Sequence, residues 1–114
     1  MKIGIIVAME QELKLLLPLI SDKKEECHNN LAFTSGQIGQ HDIIAMQCAI
    51  GKVNSAIGTL TMLDNYHPEI VINTGVAGGA DASMHVLDLL ISTGISYHDV
   101  WCGEGNEYGQ VQEF

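Results

Sequence analysis

The stretch Ile70-Val71-Ile72-Asn73-Thr74-Gly75-Val76-Ala77-Gly78-Gly79 decides the fold that this sequence predicts. Its first four residues are mostly apolar and β-branched, so we predict a strand over 70–73 that is buried on both faces. The glycines end this strand abruptly, and a backbone without side chains can approach a ligand closely. A glycine-rich loop on its own is more often only a tight turn. Further segments with the same pattern are therefore needed before this stretch indicates a ligand site.

Two other stretches have the same sequence pattern, an apolar run that leads into a short turn. The apolar run Lys2–Val7 leads into Ala8–Glu12, and the run Ile43–Cys48 leads into Ala49–Lys52. In open α/β sheets, ligands bind beyond the carboxyl ends of the strands. We therefore predict that these three strand ends share one site.

Local patterns predict the remaining elements. Helical spacing of apolar residues predicts a helix over 9–20 that frays at Pro18, and a second over 51–65 that ends before Pro68. Strands over 31–38 and 41–48 flank Gly39-Gln40, a two-residue loop with the glycine first, which is typical of a type II′ hairpin turn. The fold class expected from this order is α/β, with a mixed central β-sheet flanked by helices.

The other segments carry weaker patterns. Residues 21–30 are polar and charged and are interpreted as a connector that ends in the turn-tolerant pair Asn29-Asn30. The apolar run Val86–Ile91, extending toward Tyr97, is interpreted as a further strand. Residues 98–114 contain three glycines and few apolar residues, and we expect a loop there.

Charge and composition exclude several classes of partner. The chain of 114 residues has a net charge of −9, and its five basic residues are all lysines. This balance argues against binding to nucleic acid and against binding to anionic membranes. The lack of arginine also removes the usual bidentate partner of a phosphate, although Lys52 and backbone N–H groups remain.

Cysteine and histidine usage predicts neither disulfides nor metal. Cys27, Cys48 and Cys102 are odd in number and have no Cys-x-x-Cys spacing, which fits a reducing cytoplasm. The five histidines are scattered without a His-x-x-x-His pair, so no metal site is predicted. The first apolar run meets Glu10 and Glu12 too soon for a signal peptide or a membrane span.

Two nucleotide-binding signatures nearly match and both fail. Val53 follows Gly51-Lys52 where a Walker A motif needs Ser or Thr, and Ala77 replaces the middle glycine of a dinucleotide fingerprint. Glu10 and Glu12 lie at a predicted helix start, where carboxylates complement the helix dipole. Glu12 is the better functional candidate, because it follows a strand end in the zone where the glycine loops are expected to converge.

Taken together, the motifs resemble the bacterial 5′-methylthioadenosine/S-adenosylhomocysteine nucleosidases of the purine nucleoside phosphorylase fold family. The resemblance runs from Met1 to about Val111 and is carried, in the same order, by the segments Lys2–Glu12, Ile50–Ala56, Asn73–Gly79, Tyr97–Asp99 and Glu107–Gln110. It covers about half of such an enzyme. The resemblance therefore implies that residues 1–114 are the N-terminal half of a single nucleosidase domain, an incomplete three-layer α/β/α fold.

The resemblance also implies an activity: hydrolysis of the N-glycosidic bond between adenine and a 5′-thio-substituted ribose, without metal or organic cofactor. It implies that Glu12 activates the attacking water and that Met9 lies against the ribose. The other residues that it assigns to the substrate are Ile50, Val76, Ala77 and Gly78.

The family's general acid is an aspartate of the second half, which also holds the ribose-binding glutamate and the aromatic residues around adenine. The chain alone is therefore expected to be inactive, and the full-length protein to be a homodimer.

Three positions depart from the family pattern. Val76 stands where many of these nucleosidases have serine, Val7 where many have glycine, and Leu87 interrupts a usual Val-Gly-Asp. Two alternatives stay open: a phosphorylase of the same fold, which the lack of arginine disfavours, and a non-catalytic remnant.

Overall fold

A computed structural model describes residues 1–111 of the chain. The strands are β1 (Lys2–Val7), β2 (Ser21–His28), β3 (Leu31–Ile38), β4 (His41–Gln47) and β5 (Ile70–Asn73). The helices are α1 (Glu10–Leu16), a short 3₁₀ helix (Leu17–Leu19) and α2 (Lys52–Tyr66). The predicted helix over 9–20 is thus two elements, because Pro18 lies at the start of a 3₁₀ turn rather than in an α-helical turn.

The strands form one five-stranded sheet in the order β2-β3-β4-β1-β5. β1 is parallel to β4 and to β5, whereas β2, β3 and β4 pair antiparallel. This confirms the predicted α/β class with a mixed sheet. The predicted hairpin is also confirmed, and Gly39 has the positive φ, 60°, that the first position of a type II′ turn requires.

Side chains that alternate along the central strands build a core on each face of the sheet. On one face Ile6, Ile44 and Met46 pack with Met62 of α2. On the other face Ile5, Ile43 and Ala45 pack with Ile20 and with partly buried residues of α1 and the 3₁₀ helix. Because one helix covers each face, the architecture has the three α/β/α layers that were expected.

The prediction of a connector over 21–30 is wrong, since Ser21–His28 is strand β2. In the part of the chain that the structure describes, β2 lies at the edge of the sheet and pairs only with β3. Charged side chains on an edge strand stay in water and discourage pairing with other chains, which is why a polar segment can be a strand there. The pair Asn29-Asn30 forms the turn into β3, with φ of 51° and 61°.

The expectation that β5 is buried on both faces is wrong as well. Its three apolar residues are 37–43% exposed, because within residues 1–111 β5 is the other edge strand and pairs only with β1. The predicted strand over Val86–Ile91 does not form either. Leu87 has φ of 77°, which no β-strand residue adopts, and Asp88 closes a turn onto His85 with a 3.1 Å backbone hydrogen bond.

The chain divides into two compact units, Met1–Ala77 and the residues from Gly78 onward. The first contains the whole sheet. In the second, backbone hydrogen bonds join Tyr97 to Gly109 at 3.2 Å and Gly109 to Val100 at 2.8 Å, and residues 78–111 form turns without a helix or strand. Positions 112–114 of the loop expected over 98–114 lie outside the described residues. Among residues 1–111, no helix has the length and apolar content needed to cross a membrane.

Candidate active site

Three parallel strands end at the same edge of the sheet. β1 lies between β4 and β5, and Ile6 is in register with Met46 on one side and with Asn73 on the other. The segments that follow these strands are the three that the sequence indicated. The predicted convergence of the strand ends is therefore confirmed, and this carboxyl edge is where an α/β sheet places its ligands.

Backbone hydrogen bonds continue past the strand ends and hold the following loops together. The N–H of Cys48 donates to the carbonyl of Val7 at 2.9 Å, and the N–H of Thr74 donates to the carbonyl of Ile6 at 3.1 Å. Both loops are thus tied to β1 at the point where it leaves the sheet. Main-chain hydrogen bonds therefore fix the first residue of each loop against β1.

Glu12 occupies the centre of this edge. Its Oε2 accepts hydrogen bonds from the backbone N–H groups of Ala8 at 3.1 Å and Met9 at 2.9 Å. Its Oε1 accepts a hydrogen bond from the backbone N–H of Val76 at 3.2 Å. Both oxygens of this partly buried carboxylate are therefore held, so its orientation is set before any ligand arrives.

The local sequence explains half of this arrangement. Met9 is the residue before the first turn of α1, and Glu12 is the third residue of the helix, so its carboxylate reaches back to the N–H of Met9 as in one half of a capping box. Helix capping alone explains why Oε2 is held. It does not account for Oε1, which faces a loop 64 positions further along the chain.

Glu10 differs from Glu12 although it lies only two residues away. Its carboxylate is exposed and pairs with the ammonium of Lys14 at 2.7 Å on the outer surface of α1. The hydrogen bond and the positive charge of Lys14 hold the pKa of Glu10 below its ordinary value. Glu10 is thus occupied by a surface ion pair, and Glu12 alone of the two lies at the strand ends.

Gly75 lets the β5 loop approach Glu12. A Cβ built on Gly75 would lie 2.7 Å from Oε1 of Glu12, and its three nearest atoms would all belong to the Glu12 carboxyl group. Such a separation is below any ordinary van der Waals contact. The close passage of the loop over the carboxylate therefore depends on a bare backbone at this position.

Cys48 lies at the same edge and was not singled out from the sequence. Two carbonyl oxygens can accept the single S–H of its buried thiol, that of Val7 at 3.4 Å and that of Ala49 at 3.2 Å. Burial raises the pKa of the Cys48 thiol, and the nearby negative charge of Glu12 raises it further. Burial and the charge of Glu12 thus both favour the protonated thiol over the thiolate.

The structure brings some of the predicted site residues together. Met9 and Val76 meet at Glu12 through their backbone N–H groups, and Ile50 lies in the loop after β4 at the same edge. The side chains of Ile50 and Val76 are 72% and 82% exposed, so they are open to a ligand. Ala77 is the last residue of the first unit and Gly78 the first of the second.

Ala8, Gly75 and Cys48 belong to the site but were not predicted as site residues. Each is the first or second residue after one of the three converging strands. That position in the sequence is the signal that could have found them. Within residues 1–111, no group of three or more His, Cys, Asp and Glu side chains is placed to hold a metal ion.

Comparison with known proteins identifies the family. A family model described as "Phosphorylase superfamily" matches residues 2–113. The chain belongs to the phosphorylase superfamily. Within this superfamily, it is 44% identical over 112 residues to a 5′-methylthioadenosine/S-adenosylhomocysteine nucleosidase of Bacillus thuringiensis. That alignment covers 97% of this chain and 48% of the relative.

Solved structures of nucleosidases are also similar to this chain. The nucleosidase of Colwellia psychrerythraea, solved in complex with adenine, is 41% identical with a TM-score of 0.93, over 97% of this chain and 46% of that one. The nucleosidase of Streptococcus pneumoniae with a transition-state inhibitor is 35% identical with a TM-score of 0.92, over 97% and 49%. The chain thus spans about half the length of the relatives that it matches.

Proposed function

We propose that this chain carries the water-activating part of a nucleosidase active site, which hydrolyses the N-glycosidic bond of 5′-methylthioadenosine or S-adenosylhomocysteine and releases adenine. The observation that carries the proposal is the Glu12 carboxylate, held through both oxygens at the meeting point of three parallel strand ends. The names of the Bacillus and Colwellia relatives, and the adenine bound to the latter, support this choice of substrate.

The chemistry assigns Glu12 two tasks. As the bond between the ribose C1′ and the adenine nitrogen breaks, positive charge develops on the ribose, and a nearby carboxylate stabilises it. A water molecule then bonds to C1′ through its oxygen and gives one proton to Glu12. The released adenine carries the electron pair of the broken bond and takes a proton from a general acid, so that atoms and charge balance.

We assign the general acid to the part of the relatives' length that this chain does not span. The aspartates of the second unit are engaged in local contacts. The hydroxyl and N–H of Ser83 hold the pKa of Asp81 below its usual range, which makes it a poor proton donor. Asp88 accepts the N–H of His85 at 2.7 Å, and Asp99 lies 3.9 Å from the ring of His98.

The substrate contacts follow from the resemblance and from the exposure of the loops. We propose that Met9 lies against the ribose and that Ile50, Val76, Ala77 and Gly78 line the rest of the nucleoside. Ile50 and Val76 suit this role because they are apolar residues exposed beside the carboxylate edge. No metal or organic cofactor enters the proposed reaction.

A phosphorylase is the rival that the superfamily name keeps open. There phosphate would replace water as the attacking group, and a cationic site would have to hold it. Residues 1–114 contain no arginine, so this part of the protein supplies no bidentate phosphate site, which favours water as the attacking group. A non-catalytic remnant of the fold is the second rival.

The proposed setting is the cytoplasm, where three cysteines without a disulfide pattern fit a reducing environment. We also propose that the active protein is a homodimer. Light scattering tests the second point, since a fully active monomer at micromolar concentration would contradict it.

Reconstitution tests the function. The 114-residue chain is co-expressed, in a host without its own nucleosidase, with a polypeptide corresponding to the remaining half of the Bacillus relative. We expect this reconstituted pair to release adenine from methylthioadenosine at a rate that does not change when phosphate is removed. A rate that requires phosphate would indicate the phosphorylase, and no activity from a correctly assembled pair would indicate the remnant.

A further inference from the structure

Gly75 lies against the Glu12 carboxylate, and the proposed reaction gives it no role of its own. The separation between a Cβ at position 75 and Oε1 of Glu12 would be 2.7 Å, and the distances to Cδ and Oε2 would be 3.3 Å and 3.5 Å. An added methyl group would therefore press on the whole carboxyl group. Real Cβ atoms do not approach other heavy atoms as closely as 2.7 Å, so something would have to move.

The backbone at Gly75 does not itself require glycine. Gly75 is absent from the residues with positive φ, a group that includes Gly39 and Gly51. A side chain at position 75 is therefore not disfavoured by a left-handed φ. The requirement for glycine at position 75 thus comes from Glu12, which approaches it, and not from the turn.

The carboxylate cannot simply move aside. Oε2 is held by the N–H groups of Ala8 and Met9, which directly precede α1, so displacement of the Glu12 carboxylate away from Gly75 stretches a hydrogen bond at one end or the other. If the helix end keeps its bonds, the 3.2 Å bond from the Val76 N–H to Oε1 is lost. The segment that carries Val76 and Ala77 then loses its hydrogen bond to Glu12, while the N–H of Thr74 stays bonded to Ile6 of β1.

We propose that Gly75 is a positioning residue, whose missing side chain sets the distance between the Glu12 carboxylate and the β5 loop. It fixes the general base and the substrate-lining backbone at Val76 relative to one another. Its importance for catalysis rests on the function proposed above for Glu12. The geometric part, that Gly75 acts through Glu12, does not depend on any activity.

A double-mutant cycle on the full 114-residue chain tests the geometric part. The variants are Gly75→Ala, Glu12→Ala and the pair combined, with Gly94→Ala as the matched control. Gly94 also lacks positive φ, and no atom lies within 4 Å of a Cβ built there. Hydrogen exchange at the Val76 amide, followed by mass spectrometry of overlapping peptides, gives the readout and does not need a monomeric sample.

We expect Gly75→Ala and Glu12→Ala each to speed exchange at Val76 by about tenfold, the loss of one charge-assisted hydrogen bond. In the Glu12→Ala background the second change should add nothing, because the added methyl group no longer meets a carboxylate. In the Gly94→Ala chain, the Val76 amide should exchange at the same rate as in the parent chain. If Gly75 were required only by the turn itself, Gly75→Ala would speed exchange at Val76 both in the parent chain and in the Glu12→Ala chain.

Two results would overturn the proposal: parent-like exchange in Gly75→Ala, or a further increase when that change is added to Glu12→Ala. If Gly75→Ala does not fold, the double variant decides. Folding restored by removing the Glu12 carboxyl group supports the proposal, whereas a double variant that stays unfolded while Glu12→Ala folds refutes it. Neither result depends on catalysis, so failure of this inference is distinct from failure of the proposed function.

Discussion

The carboxylate of Glu12 accepts a hydrogen bond from the backbone N–H of Val76 at 3.2 Å, joining two loops that are 64 positions apart. The same carboxylate caps the first turn of α1 through Ala8 and Met9. One side chain thus ties the end of β1 to the end of β5. This connection joins the two loops at the shared edge of the sheet.

Met62 should be among the most sensitive core positions of the sheet. It is fully buried, packs with Ile6 and Met46, and its sulfur fills the space over Gly4. Met62→Ala should cost about 2–5 kcal/mol of unfolding free energy, since it removes buried atoms and leaves a cavity. Leu60→Ala on the same helix, where the side chain is 60% exposed, is the matched control and should change little. Urea unfolding followed by circular dichroism measures both, and equal losses would contradict this account of the core.

Tyr66 should make the free energy of unfolding fall at alkaline pH. Its hydroxyl donates to Oε2 of Glu26 at 2.8 Å and its ring packs against Phe33, which links the end of α2 to β2 and β3. Burial raises the pKa of Tyr66 well above its usual value, and the hydrogen bond and charge of Glu26 raise it further. The folded chain therefore keeps Tyr66 neutral at a pH where the unfolded chain ionises it.

The sign of the effect follows from linkage. The stabilisation is fully present below about pH 10, the pKa of an unfolded tyrosine, and is lost as pH rises from there through the folded pKa. Unfolding free energies measured from pH 8 to 11 should fall above pH 10, and Tyr66→Phe should remove part of that fall. Tyr108→Phe, in the second unit, is the control and should leave the slope as it is. A Tyr66→Phe profile parallel to the parent profile would refute the link.

The 114-residue chain by itself should release no adenine. Loss of general-acid assistance alone typically costs about two to four orders of magnitude in rate. The exposed apolar residues of β5 and its unpaired edge should also favour self-association of the isolated chain. Hydrolysis of methylthioadenosine by the purified chain, free of any host nucleosidase, would mean that Asp81, Asp88 or Asp99 serves as the acid, Asp81 being the least suited.

Local patterns were enough to predict the elements whose environment is encoded nearby. β1, the β3–β4 hairpin and α2 follow from period, apolar runs and turn residues in their own sequence. β2 was not predicted as a strand because its charged residues are compatible with an exposed sheet edge but carry no information about its pairing with β3. Val86–Ile91 is apolar enough for a strand, but composition says nothing about whether a neighbouring strand exists, and the positive φ of Leu87 excludes one here.

The site was predictable in outline and not in detail. Convergence of the strand ends follows from parallel order, and Glu12 follows from its place between a strand and a helix. The hydrogen bond from Val76 and the close approach of Gly75 join segments more than 60 positions apart, so no local pattern contains them. The position of Cys48 directly after β4 could have indicated it, whereas the burial of its thiol is set only by the folded neighbourhood.

The reconstituted pair allows the central claim, that Glu12 is the base, to be tested with a matched control. Glu12→Gln keeps the shape of the side chain but cannot take a proton from water. Its NH₂ group would also face a backbone N–H on one side, since both oxygens of Glu12 accept such donors. Glu10→Gln is the matched control, because Glu10 lies two residues away on the exposed surface of α1.

The decisive measurement is the rate of adenine release by the reconstituted pair, in a coupled assay, for the parent, Glu12→Gln and Glu10→Gln chains. We predict that Glu12→Gln loses at least about a hundredfold in rate, the lower end of what a general base contributes, while Glu10→Gln stays near the parent rate. An unchanged rate in Glu12→Gln would remove Glu12 from the mechanism and contradict the account.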